Sequence, residues 1–149
     1  RLKDDITIDH ESRLAYSDAL LVFTGIDKDG VYNLYGIPFS GTAKTDSAYE
    51  LIENAKNASA VEGLGGFVFE KPDSMNNIQL WIPNREKTIA LPPINVGIDG
   101  TCDNPIGEAY KGKWRFWFLC EDPNYPDEPL LYYHDMETQV AIPNDINYM

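Results

Sequence analysis

The run KWRFWFLC at residues 113–120 constrains the fold more than any other stretch of this chain. It is aromatic, free of glycine and proline, and reads as a strand. Successive strand side chains point to opposite faces, so Trp114, Phe116, Phe118 and Cys120 form one row. Lys113, Arg115, Trp117, Leu119 and Glu121 form the other. The first row is a core face. The second sets Trp117 among charged groups, a mixture suited to a binding face because Trp and Arg join contact area to a polar handle.

Other strands follow from the same two-residue period. Ile6 and Ile8 alternate with Thr7 and Asp9. The runs ALLVFTGI and VYNLYGIPF flank Asp27-Lys28-Asp29-Gly30, which predicts a hairpin with Gly30 at the positive-φ position. A calcium loop is excluded there, because the twelfth position from Asp27, which needs a bidentate glutamate, is Pro38. FVFE and IQLWIP predict a second hairpin across the turn-rich KPDSMNN. PLLYYHD and TQVAIP predict a third about Met136-Glu137. TIALPPINVGI reads as extended, with Pro92-Pro93 suited to an edge or a bend.

One segment reads as a helix. In TDSAYELIENAKNAS, Ser47 and Glu50 have capping-box spacing, and Ala48, Leu51, Ile52 and Ala55 share a helical face. The glycines of Gly63–Gly66 then stop it. The expected fold is α+β: mainly antiparallel β-sheet built from hairpins, with one α-helix at about residues 47–58 packed on it. Residues 1–149 are read as a single globular domain with no internal repeat.

Charge bounds the partners. The chain carries 24 acidic and 12 basic residues, a formal net charge of −12, with 43% hydrophobic residues, too apolar for an acidic disordered tail. Residues 121–149 contain Glu121, Asp122, Asp127, Glu128, Asp135, Glu137 and Asp145 but no Lys or Arg. Nucleic acid and anionic membrane surfaces are disfavoured, whereas a basic protein is attracted and its encounter accelerated. No run is long and apolar enough to span a membrane. The chain starts at Arg1, which fits either a removed N-terminal signal or anchor or a trimmed segment.

Cys102 and Cys120 are too far apart for a CxxC motif, so they are read either as a disulfide or as two separately buried thiols. His10 and His134 are the two histidines. Neighbouring strand residues such as His134 and Asp135 face opposite ways and do not form a relay. No nucleophile elbow, metalloprotease motif, phosphate loop or dinucleotide fingerprint occurs. Glu121 is the best-placed carboxylate for a glycosidase-type acid. Asp99, Asp103, Asn104 and Glu108 offer hard-cation oxygens in a loop, but the spacing favours solvated acids, and no metal or cofactor is expected. Asn57-Ala58-Ser59 is a sequon whose meaning depends on a secretory setting.

These features point first to a non-catalytic acidic binding protein, inhibitor-like or immunity-like, that captures a basic protein partner. Its expected contacts are Arg115, Trp117, Glu121, Asp122, Tyr125, Asp127 and Glu128, the last five in a proline-held loop from Glu121 to Pro129. The alternatives are a structural or surface-displayed domain of a cell-envelope assembly that has lost its N-terminal anchor, and a small carboxylate hydrolase. The expected compartment is periplasmic or extracellular, with cytoplasmic as the alternative, and oligomeric state is left open.

Overall fold

The computed structural model describes residues 5–17, 19–38, 48–61, 65–72, 78–82, 87–90, 102–122, 125–135 and 141–144. These residues form three antiparallel sheets. The first contains β1 (Thr7–Ile8), β2 (Ala15–Ser17), β3 (Leu20–Ile26), β4 (Tyr32–Pro38) and β5 (Tyr49–Ile52). Both β1 and β2 pair with the same edge of β3, at its opposite ends. The second sheet runs in chain order through β6 (Lys56–Val61), β7 (Gly66–Glu70), β8 (Ile78–Ile82) and β9 (Lys87–Ala90). The third does the same through β10 (Cys102–Tyr110), β11 (Lys113–Asp122), β12 (Tyr125–Asp135) and β13 (Ala141–Asn144).

The α+β expectation is corrected, since no helix occurs among the described residues. Where a helix was expected at about residues 47–58, the chain forms β5, turns, and enters β6. Asn54 and Asn57 have φ of 52° and 60°, left-handed values that a right-handed helix does not tolerate. Leu51, Ile52 and Ala55, which would line one helical face, instead pack into the core between the first two sheets. The glycine stretch is likewise no helix stop: Gly65, at φ 71°, turns β6 into β7.

The hairpins form as expected. Asp27 accepts the Gly30 N–H on its carbonyl at 3.0 Å, and its carboxylate accepts the N–H groups of Asp29 and Val31 at 2.9 and 3.0 Å. Gly30 has φ 80°. The second hairpin pairs Glu70 with Ile78, and the third pairs β12 with β13. Residues 73–77, Pro92-Pro93 and Met136-Glu137 lie outside the described residues.

Two cores separate the three sheets. Ala15, Val22 and Leu34 of the first sheet meet Ala58, Phe67 and Phe69 of the second. Val61, Val68 and Leu80, on the opposite face of that second sheet, meet Phe116, Phe118 and Cys120. The core row predicted on β11 is therefore in place, with Trp114 at its margin, and β7 is buried along its whole length. Each such buried aromatic stabilises the fold by about 1.5–3 kcal/mol.

The sheets draw together at their first strands. β6 approaches β2, β3 and β4, and β10 approaches β6, β7 and β8, while β5, β9 and β13 reach a neighbouring sheet at isolated points at most. Gly107 permits one of these approaches, since a β-carbon there would lie 2.7 Å from Val61 Cγ2 and 2.9 Å from the Ala60 carbonyl oxygen. Sheets converging in this way form a fan, as successive blades of a β-propeller do.

The fan exposes a repeat that the sequence reading did not find. Across the pairs β2–β3, β6–β7 and β10–β11 the register sets Ala15 opposite Val22, Ser59 opposite Val68, and Ile106 opposite Trp117. Two residues before each first-strand position stand Arg13, Asn57 and Asn104. Asn57 and Asn104 are both left-handed, and each sits where the pairing of its strand slips. In the first sheet the same point is the wider break between β1 and β2.

Candidate recognition site

The bulge residues are wired to one another across the sheets. The Arg13 N–H donates to Asn57 Oδ1 at 3.3 Å, and the Asn57 side-chain amide donates to Asn104 Oδ1 at 2.9 Å and to Glu70 Oε2 at 2.8 Å. The Asn57 backbone N–H donates to Thr24 Oγ1 at 2.9 Å, and the Asn104 backbone N–H donates to the Glu70 carboxylate. Arg13 reaches onward to donate from its guanidinium to the Pro105 carbonyl. Burial raises the Glu70 pKa, opposed mainly by the hydrogen bond from Asn57. Burial lowers that of Arg13, opposed by the Glu70 charge. This cluster fastens sheet to sheet. It also disposes of the sequon, because the Asn57 amide is inside it and fully engaged.

The outer face of the third sheet carries a second polar constellation. Trp117 Nε1–H donates to Glu108 Oε2 at 2.6 Å, and Arg115 Nη2 lies 3.1 Å from the same oxygen. The Arg115 guanidinium stands over the Trp117 ring at 5.6 Å. The Trp117 N–H, then Arg115, hold the Glu108 carboxyl below its ordinary pKa, with desolvation working the other way. Sequence reasoning placed Arg115 and Trp117 on one surface but read Glu108 as a loop acid. Glu108, Asp103 and Asn104 all lie on β10, with Glu108 directly opposite Arg115. The alternation of β10 was the missing signal, and Pro105 and Gly107 obscured it. Ile106, opposite Trp117, is 50% exposed beside this cluster.

The acidic loop expected from Glu121 to Pro129 is also corrected. β11 continues to Asp122 and β12 starts at Tyr125, with Asp122 opposite Tyr125 and Cys120 opposite Leu130. The pairing slips between these two points, so Glu121, Asp122, Tyr125, Asp127 and Glu128 gather at the end of one hairpin. Glu121 is exposed, and the other four are described by their backbone positions. The seven expected contact residues thus fall into two patches: Arg115 and Trp117 on the sheet face, the rest at the hairpin end.

Cys102 and Cys120 are joined in a disulfide between directly opposed residues of β10 and β11, with Cα atoms 4.1 Å apart. Such bonds persist in oxidising, non-cytoplasmic compartments. A shallow hollow on the first sheet is bordered by Asp27, Asn33, Tyr35, Tyr49 and Glu50. The Asn33 amide there already donates to Asp27 and Tyr35 and accepts from the Asn54 N–H. Among the described residues no three His, Cys, Asp or Glu side chains are grouped to hold a metal, and no helix is long and apolar enough to cross a membrane. His10 lies exposed in a turn, and His134 is on β12. No family model, curated protein or solved structure matches the chain.

Proposed function

We propose that this protein is a non-catalytic binding module that captures a basic protein partner at the end of its β11–β12 hairpin, in the periplasm or outside the cell. The observation that carries this reading is the gathering of Glu121, Asp122, Asp127 and Glu128 at one hairpin end, in a stretch without a single Lys or Arg from residue 121 onward. The disulfide anchors that end, since Cys120 immediately precedes Glu121. A hairpin held this way loses little freedom on binding. The acids steer encounter, and Tyr125 supplies an aromatic contact.

The test is affinity capture from the native source followed by surface-plasmon kinetics against the captured protein. Changing Asp127→Asn and Glu128→Gln together should slow association at low salt and matter little near 0.5 M, where the Debye length is about 4 to 5 Å. Tyr125→Ala should speed release, at a cost of about 2 kcal/mol. Parent-like kinetics from all these folded variants would remove the hairpin end as the binding surface.

A further inference from the structure

The three sheets are not secured in the same way. On the outer face of the first, Phe23, Tyr35 and Ile37 are buried, with Ile6, Leu21 and Ala48 packed against them, so the chain closes that end itself. The second lies between two cores. The third is seated on the second by Phe116, Phe118 and Cys120 of β11, and by a polar seam that β10 supplies.

That seam runs through a short piece of strand. Within Asn104–Gly107, the Asn104 N–H donates to the Glu70 carboxylate, Asn104 Oδ1 accepts from the Asn57 amide, the Pro105 carbonyl accepts from Arg13, and the Gly107 N–H donates to Ser59 Oγ at 3.1 Å. The same piece contains the break in the β10–β11 ladder. Asp103 pairs with Leu119 and Ile106 with Trp117, so Asn104 and Pro105 together oppose Phe118, and Pro105 has no N–H to give. Beyond the break, Ile106 to Tyr110 are paired without interruption. Before it stand Cys102 and Asp103, and the Cys102–Cys120 bond ties them to β11. The hairpin is already closed at its own turn, where Gly112 has φ 74°, so the bond is not needed to bring the two strands together. What it adds is a fixed near flank for the bulge.

We infer that the Cys102–Cys120 disulfide is a redox latch on this seam: its reduction releases Asn104 from Glu70 and Asn57 while β11 stays on the second sheet. The reductant required is a dithiol. One of its thiolates attacks at Cys102, which is partly exposed whereas Cys120 is 1% exposed, and its second sulfur then closes the reductant into a cyclic disulfide. Two electrons and two protons pass to Cys102 and Cys120, which become thiols. Cys120 keeps its apolar place in the cluster with Phe116 and Phe118, so the core row survives the change. Cys102, at the start of β10, is the half that is freed. The inference does not depend on the acidic hairpin end.

Amide hydrogen exchange, read residue by residue by NMR with and without dithiothreitol, tests it. The amides of β3 and β4 report any general loss of stability, and so does the Asn57 N–H, which is seated on Thr24. On reduction, exchange at the Asn104 and Gly107 amides should accelerate at least about tenfold more than at those reference amides. Reoxidation should restore the protection. Cys102→Ser, which leaves Cys120 in its core position, should reproduce the reduced pattern with no reductant present. A uniform rise across all these amides would make the bond an ordinary staple and overturn the inference. So would unchanged exchange at Asn104 and Gly107, outright unfolding on reduction, or a Cys102→Ser protein that keeps the oxidised pattern.

Discussion

At Asn57 one residue answers a backbone need and a side-chain need together. Its φ of 60° suits asparagine or glycine, and its buried amide serves Arg13, Glu70 and Asn104. Asn57→Ala leaves those partners unsatisfied and puts a β-carbon into the left-handed region, so it should cost about 2–4 kcal/mol in denaturant unfolding. Asn57→Gly loses the same amide but relaxes the backbone, and should be about 1 kcal/mol less damaging. An alanine variant as stable as the glycine variant would show that the left-handed strain is immaterial. Glu70 gives a pH signature. Its folded pKa is raised, chiefly by burial, so its contribution is complete below the unfolded glutamate pKa and is lost as pH rises through the folded value. Parent stability minus Glu70→Gln stability, from urea titrations, should therefore fall as pH rises above the ordinary glutamate pKa of about 4.3. A flat or rising difference would mean that the Asn57 and Asn104 hydrogen bonds outweigh desolvation.

At the scale of single elements, the disulfide ties the β10–β11 hairpin across a sequence separation of 18 residues. Reduction should lower stability by about 3 kcal/mol, in the chain-entropy account, and should show as a drop in melting temperature with reductant. Intact mass under non-reducing conditions should show no alkylation of Cys102 or Cys120 even after denaturation. How much of the architecture the residues revealed depends on where the information lies. β11, the Asp27–Gly30 turn and the β7–β8 hairpin were legible because alternation and turn chemistry are local. The segment around residues 47–58 was misread because Ser47, Glu50, Leu51, Ile52 and Ala55 have helical spacing by coincidence. What decides it is nonlocal: β5 pairs with β4, and Asn57 is held by Thr24, Glu70 and Asn104. The repeat escaped for a similar reason. Its signature is left-handed asparagines at Asn57 and Asn104, 47 residues apart, and not a shared string of letters. Arg115 and Trp117 were found from the alternation of β11, whereas their partner Glu108 required the register of β10.

For the molecule as a whole, net charge is the property that salt tests most directly. The chain carries −12, and added salt screens that charge at every exposed surface. The same salt should slow capture of a basic partner at the hairpin end. Measured from about 0.05 to 0.5 M salt, the association rate should fall steadily, and a rate indifferent to salt would mean that charge does not steer the encounter. The closed first sheet has one further consequence, for growth. A stack with adhesive faces at both ends adds units without limit and yields fibres. Because Phe23, Tyr35 and Ile37 are already buried by the chain itself, they offer no apolar patch on which a further unit could stack, and growth of a fibre from that face is blocked.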